Sequence, residues 1–485
     1  MPILTAITWL PLVGAVVIVL LPRAQASLAR VVALTAAGGS LALSWGLLAT
    51  FDRSSSEPQF TERATWIPEL GMTYSLGVDG LSYPLVLLTT VLTVIALIAS
   101  LKVERSPKAY FAWMMLLEFA ILGVFVARDW FLFYVFWELA LIPMFFLIGI
   151  WGGLKKERAT LTFFMYTLGG SIFMLLGIFA IYLAADPRTF DMTALEAASG
   201  GWTRSFQLLP FLAFFIGFAV KIPVFPLHGW LPLAHVQAPT PVSIMLSGVL
   251  LKLGAYGILR VADTLPLGLQ AVLPLLFVLA LVNILYGAFL AFRQTDLKAI
   301  VAFSSISHMG FVLLGIAALN VTGVSGAVFM MLAHGIITGG LFLLVGIIYE
   351  RTNTMELGQL SGLAGQVPRY AGVTVLALLA SMGLPGLAQF VGEFQTLIGA
   401  FERWGLYVLF ASLGILVTAT FTLRVIAAMF TGDVDERRGS LRDLDARELT
   451  AAVPLAVLTV VLGVFPSLAL GLTDATVRAM TALNG

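Results

Sequence analysis

Apolar runs of membrane length recur along almost the whole chain. A helix rises about 1.5 Å per residue, so roughly 20 apolar residues cross a bilayer. Charge clusters and turn residues divide the sequence into fourteen such segments, near 3–21, 28–50, 81–101, 110–127, 129–150, 159–184, 207–237, 240–261, 269–291, 297–319, 325–349, 370–401, 405–430 and 449–473. Only 11% of residues are charged and the mean hydropathy is +1.00. A soluble chain carries about 25% charged residues. The expected fold is therefore an all-α polytopic membrane protein. The first segment has no basic residues ahead of it and leads into further spans, so it reads as a retained helix rather than a cleaved signal.

Two segments are too long for one crossing. The seventh contains Pro223 and Pro226, and the twelfth contains Pro385 between Gly383 and Gly386. Proline removes a backbone donor and clashes with the preceding turn. Broken backbone survives at membrane depth only where protein or a water-filled cavity satisfies the freed groups. The two breaks lie fourth in successive runs of five segments, 4–8 and 9–13. Matching breaks are the mark of internal repeats around an ion path, and an odd helix number makes the repeats inverted. No residue-level similarity between the runs supports this; it rests on hydropathy and the breaks. The expected division is 1–109 for helices 1–3, 110–261 and 262–430 for the two repeats, and 431–485 for a cytoplasmic loop and a last helix.

Basic residues set the orientation. Sixteen fall on one side, from Arg23 and Arg30 to Arg437, Arg438, Arg442 and Arg447, and eight on the other, including Arg53, Arg128, Arg260 and Arg478. The first side is expected to be cytoplasmic, with both termini facing outward. Lys221, Lys252 and Arg424 remain within spans, and Arg424 is close enough to an end to snorkel.

Glu118, Glu138, Lys221, Lys252, His308, His334 and Glu393 are the ionisable residues expected at depth. A charge at mid-helix costs about 2.5–3.5 kcal/mol on insertion scales, so these groups must face one another or water. Burial draws Lys and Glu toward neutrality, and an opposite charge reverses that. A string of such groups can pass protons. Each also has a plainer reading. Lys221 could snorkel, the histidines could donate to carbonyls, and Glu118 could lie nearer an end. His228 and His235 flank the first break and are expected to cap its freed carbonyls. Asp79 is expected to cap the third helix. Gly169-Gly170 and Gly339-Gly340 read as packing positions. No metal cluster, phosphate loop or nucleophile elbow is present in the sequence. The absence of cysteine excludes disulfides, iron–sulfur ligation and c-type haem attachment in this chain. The near-neutral net charge of +1 argues against a nucleic-acid partner.

The stretches AVKIPVFPLHGWLPLAHVQAPTPVSIMLSGVLLKLGAYGILR, FLFYVFWELALIPMFFLIGIWGG, SSISHMGFVLLGI and GLPGLAQFVGEF resemble the antiporter-like membrane subunits of proton-pumping NADH:quinone oxidoreductase, respiratory complex I. The resemblance is strongest over helices 4–13. Glu393 points to the M type, called chain 4 in mitochondria, because the L and N types and the related sodium/proton antiporters carry lysine there. The L type also continues into a long lateral helix, whereas this sequence stops at Gly485.

The resemblance implies about fourteen helices with two inverted five-helix repeats. It pairs Glu138 with Lys221, makes Lys252 the link between half-channels, and makes His308 and His334 relay positions leading to Glu393. It implies no cofactor in this chain, with flavin, iron–sulfur clusters and quinone on partner subunits. The implied partners are the L- and N-type subunits, the peripheral redox arm and lipid. The implied location is a prokaryotic plasma membrane or a thylakoid membrane. The family's usual aspartate after HGWLP is Leu233 here, which removes a polar side chain from the cytoplasmic mouth. A cation/proton antiporter subunit is the alternative. A solute transporter and a purely structural module fit the buried charges less well.

Overall fold

The computed structural model describes residues 2–22, 25–434 and 440–484; Arg23, Arg437 and Arg438 lie outside them. The order is α1 (Ile3–Leu20), α2 (Ala26–Gly46), β1 (Gln59–Ile67), β2 (Met72–Val78), α3 (Tyr83–Ala99), α4 (Pro107–Val126), α5 (Trp130–Trp151), α6 (Lys156–Ala184) and α7 (Met192–Ser199). Then come α8 (Arg204–Lys221), α9 (Trp230–Gln237), α10 (Thr240–Met245), a π-helical turn (Leu246–Leu250), α11 (Leu251–Thr264), α12 (Pro266–Arg293), α13 (Leu297–Ala318) and α14 (Val321–Thr352). The chain ends with α15 (Leu363–Gln366), α16 (Pro368–Ser381), α17 (Ala388–Trp404), α18 (Leu409–Phe430), α19 (Ala446–Val464) and α20 (Ser467–Asn484).

Twelve helical stretches among the described residues are long and apolar enough to cross a membrane. Tyr83–Ala99 is apolar but shorter, and the stretch Ala388–Phe430 turns at Gly405. The seventh expected segment is broken into α8 and α9, and the twelfth into α16 and α17. The last expected segment overruns its helix. α19 stops at Val464, and Pro466 begins a turn into α20, because proline cannot continue the ladder.

Outward faces are apolar. Along α6, Leu161, Met165, Ile172, Leu176 and Leu183 are exposed, and their spacing follows one side of a helix. The interior is built from α10, α11, α13 and α14, which are wholly or almost wholly buried. These helices carry Lys252, His308 and His334. Gly170 meets Val220 across the α6–α8 contact, and Gly339 meets Leu92 on α3, whereas Gly169 faces open space.

Among the described residues the helices are accompanied by one two-stranded sheet, the antiparallel hairpin β1–β2, with Arg63 opposite Ser75 and Ala64 opposite Tyr74. Gly71 closes its turn at φ 65°, a conformation that costs glycine little. The Glu62 carboxylate accepts from the Leu4 and Thr5 amides at 2.7 and 3.0 Å, tying the hairpin to the donor-rich start of α1. α20 packs on α3, α11, α12 and α14, with the Gly80 amide donating to Thr476 Oγ1 at 3.0 Å.

Candidate proton-relay site

Lys221 is the last residue of α8. Two prolines follow within a turn and a half. The Ile222 and Val224 amides still bond back to Phe218 and Ala219, but the regular ladder ends there, and the Phe225 amide and Pro223 carbonyl need partners elsewhere. Asn283 on α12 supplies them. Its Oδ1 accepts from the Phe225 amide at 2.8 Å and its Nδ2 donates to the Pro223 carbonyl at 3.2 Å. Trp230 Nε1 donates to the Val220 carbonyl at 2.8 Å. The expected caps do not do this work. Both ring nitrogens of His235 lack a hydrogen-bond partner among the described residues, as does Nδ1 of His228. His235 stacks on Phe342 at 4.5 Å, and His228 stacks on Phe225 and meets Tyr286 edge-on. An amide carries both a donor and an acceptor at the right spacing, which a single stacked imidazole edge does not.

The Lys221 ammonium is buried and has no hydrogen-bond partner among the described residues. It lies 5.3 Å from the centre of the Trp137 ring and 5.7 Å from that of Phe163. Negative ring faces attract a cation at this range. Glu138, next in sequence to Trp137, is half-buried beside Ser171 and interacts with Lys221 through space without forming an ion pair. The direct Glu138–Lys221 pair expected from the resemblance is therefore open in this structure, and aromatic faces occupy the near positions.

Lys252 follows the π-helical turn by two residues. Such turns leave carbonyls out of the regular ladder and are frequent at functional sites. Lys252 Nζ donates to the Ser247 carbonyl at 2.5 Å and shares a hydrogen bond with His334 Nδ1 at 2.7 Å, whose direction depends on the imidazole tautomer. The His308 ring stands 5.5 Å from that of His334, edge to face. His308 in turn approaches the Ser381 carbonyl, at the end of α16. Gln389 Nε2 donates to that same carbonyl at 2.8 Å and to Glu393 Oε1 at 3.0 Å. Glu393 is buried, and its other oxygen packs against Gly383 in the second break. The order along the path is Lys252, His334, His308, Glu393, so His334 rather than His308 adjoins the lysine.

Glu118 stands apart. It is fully buried on α4, with neither carboxylate oxygen hydrogen-bonded among the described residues. Arg424 reaches the end of its span, where Nη2 donates to the Gln294 carbonyl at 2.8 Å. Leu233 is half-buried against the apolar core. No three His, Asp or Glu residues among those described gather as a metal site.

Asp79 does not cap α3 as expected, because the N-cap position falls on Ser82, without a side-chain cap bond. Its Oδ1 accepts instead from the Leu81 and Ser82 amides at 3.0 and 3.1 Å, in the turn before the helix. Arg260 also grips both oxygens, at 2.7 and 2.9 Å, and Arg128 approaches at 3.3 Å. Tyr256 receives two further guanidinium hydrogen bonds. Burial pushes the Asp79 carboxyl up, but the Arg260 charge and its hydrogen bonds, with Arg128, outweigh it and hold the group well below the usual carboxylate range. The charge count along the sequence placed both arginines on the outer side, yet both are buried or nearly so. The ionic partner at Asp79, with Tyr256 and the nearby Asp263, offsets the cost of their burial.

The fold and this buried lysine–histidine–glutamate line define a class. Residues 127–422 match the family described as NADH:quinone oxidoreductase/Mrp antiporter, TM, and residues 64–127 match NADH-ubiquinone oxidoreductase chain 4, amino terminus. The chain belongs to this family of antiporter-like membrane subunits, and within it to the subunit M, or chain 4, type. It is 42% identical to NADH-quinone oxidoreductase subunit M of Rhodobacter capsulatus over 96% of this chain and 94% of the relative. It is 40% identical to an NAD(P)H-quinone oxidoreductase chain 4 of Synechococcus elongatus over 99% and 92%. Its structure matches a chain of respiratory complex I from Thermus thermophilus with a TM-score of 0.90, 33% identity and full coverage of both chains. A chain of the Mrp complex from Dietzia sp. shares the fold, with a TM-score of 0.88 at 22% identity, over the full length of both.

Proposed function

We propose that this chain is the M-type proton-translocating membrane subunit of a complex I type NADH or ferredoxin:quinone oxidoreductase. Protons move through Glu138, Lys221, Lys252, His334, His308 and Glu393. Flavin, iron–sulfur clusters and quinone reside on partner subunits, among them L- and N-type relatives and a peripheral redox arm. The basic-residue asymmetry supports an orientation with both termini on the non-cytoplasmic side of a prokaryotic plasma membrane or a thylakoid membrane. The matching breaks support two inverted repeats over 110–261 and 262–430.

The observation that carries the reading is the buried series Lys252, His334 and His308, with Lys252 bonded to His334 and the two rings 5.5 Å apart, ending beside the Ser381 carbonyl that Gln389 links to Glu393. Both ring nitrogens of His308 and Nε2 of His334 lack a hydrogen-bond partner among the described residues, so the series is a row of buried neighbours rather than a continuous hydrogen-bonded chain. Among the described residues Lys221 has no hydrogen-bond or ion-pair partner. Closure of the Glu138–Lys221 pair would favour the ammonium, and opening it would favour release of the proton toward Lys252. Opposite charges about 4 Å apart at an effective dielectric near 20 interact by about 4 kcal/mol, or roughly three pH units. That is enough to switch a buried amine. Charge changes at the boundary with the next subunit set which state holds. Glu118 lies off this line, buried on α4.

The test is proton translocation per electron in the intact complex. Lys221→Ala or Glu138→Gln should reduce it strongly while leaving assembly unchanged, and full pumping in either variant would refute the mechanism. The shared fold with an Mrp chain keeps a gradient-driven cation/proton antiporter as the alternative, for which sodium-dependent transport without co-purifying redox subunits is the signature.

A further inference from the structure

Asn283 is fully buried in the middle of α12, within the apolar stretch FVLALVNILYG. A lone carboxamide in such a helix must find partners, and here both ends are used on the main chain of the first break. The neighbouring residue points the other way. The Ile284 carbonyl accepts from Ser307 Oγ at 2.8 Å, one residue before His308. Around this bond α12 and α13 touch backbone to backbone. A Cβ on Gly287 would lie 2.6 Å from the Ser307 amide nitrogen, and one on Gly310 would lie 2.8 Å from the Ile284 nitrogen. Such close contact transmits a shift rather than absorbing it.

We propose that Asn283 is a positioning residue that locks the Lys221 break to α12 and, through Ile284 and Ser307, to the helix carrying His308, so that the two half-channels change state together. This rests on the proton-relay reading. α12 opens the second expected run of five helices, while the break it holds belongs to the first. The clamp therefore crosses between the two halves, along a route separate from the side-chain line through Lys252. Its two hydrogen bonds act on peptide groups that have no alternative partner within α8, so the geometry of the residues just after Lys221 depends on α12.

The experiment measures assembled complex, quinone reductase rate and protons translocated per electron in membranes carrying single and double variants. Asn283→Ala should lower protons per electron about fivefold with the complex still assembled. Asn283→Asp keeps the acceptor for the Phe225 amide and loses the donor to Pro223, so it should fall between Asn283→Ala and the unaltered protein, and it decides the matter if Asn283→Ala does not assemble. Ser307→Ala should lower the same ratio, and adding it to Asn283→Ala should cause no further loss, because both changes cut one linkage. A purely structural asparagine would reduce the amount of complex and leave the ratio unchanged. An unchanged ratio in Asn283→Ala or Asn283→Asp, or losses that multiply in the double variant, would overturn the proposal. Lys221→Ala run in parallel separates the two failures. If it pumps normally, the relay reading falls; if it does not pump while Asn283 variants do, only the clamp falls.

Discussion

The two broken helices solve the same backbone problem with different donors. At the first, the Phe225 amide and Pro223 carbonyl after Lys221 are satisfied from outside the segment, by Asn283 on α12, while Trp230 on α9 bonds the Val220 carbonyl just before the lysine. The titratable group itself has no hydrogen-bond partner among the described residues and rests over aromatic faces. At the second, the helix serves itself. Gln389 on α17 satisfies the Ser381 carbonyl and the Glu393 carboxylate with the same amide nitrogen. Glycine does the turning there, with φ of 80° at Gly383 and 92° at Gly386. A group with no fixed partner can exchange one neighbour for another at little cost, whereas a hydrogen-bonded carboxylate is held in place. On the proposed relay, this contrast suits Lys221 to a switch and Glu393 to a fixed end-station.

The sharpest way to break this contrast is at its centre. Lys252 lies between the two breaks, so Lys252→Met should cut proton translocation more than about tenfold with quinone reduction surviving in uncoupled form. Pumping at normal stoichiometry would mean that the halves do not communicate through this lysine.

A region outside both breaks tests whether burial of charge alone explains their sensitivity. Asp79→Ala removes the ion-pair partner of the buried Arg260, which keeps only Tyr256 and the nearby Asp263; breaking such a buried pair costs about 3–5 kcal/mol. The expected result is loss of assembled complex or a lowered unfolding temperature, with protons per electron unchanged in what assembles. The pH dependence follows from the depressed Asp79 pKa. Its stabilisation is fully present above the ordinary carboxylate range and disappears as pH falls through the folded-state value, so wild-type stability should decline at strongly acid pH more than that of Asp79→Asn.

Smaller effects distinguish the breaks themselves. Gln389→Leu orphans a buried carbonyl and a carboxylate oxygen at about 1–3 kcal/mol, so it should slow coupled turnover several-fold, measurable as proton flux at constant reductase rate. Trp137→Leu removes one ring from beneath Lys221, worth about 0.5–2 kcal/mol. It should change flux the least, and a larger loss than in Gln389→Leu would reverse the assignment of switch and end-station.

Much of the fold is legible along the chain. Membrane insertion depends on local hydropathy, and proline and glycine act within a turn, so the helical segments and the positions of both breaks can be read directly. The depth of Lys252, His308, His334 and Glu393 follows from their place within apolar runs. The β1–β2 hairpin is not legible, because Phe60 to Val78 mixes charged, apolar and turn residues without clean alternation. Asn283 escapes notice because a single amide in an apolar helix has no signature of its own. His235 misleads because its proximity along the chain to Pro226 suggests a capping role, while its ring packs on Phe342, more than a hundred positions away.

The sequence by itself determined the solvent this protein lives in, the place of most of its long apolar helices and of both breaks, and the burial of Lys221, Lys252, His308, His334 and Glu393. Those properties are local, written in windows of about 20 residues. Only the tertiary structure decided who meets whom. Phe225 finds Asn283 across 58 positions, Lys252 finds His334 across 82, and Arg260 finds Asp79 across 181. A hydrogen bond requires atoms within about 3 Å and near-linear geometry, and no pattern along one chain specifies which distant helices will bring them there.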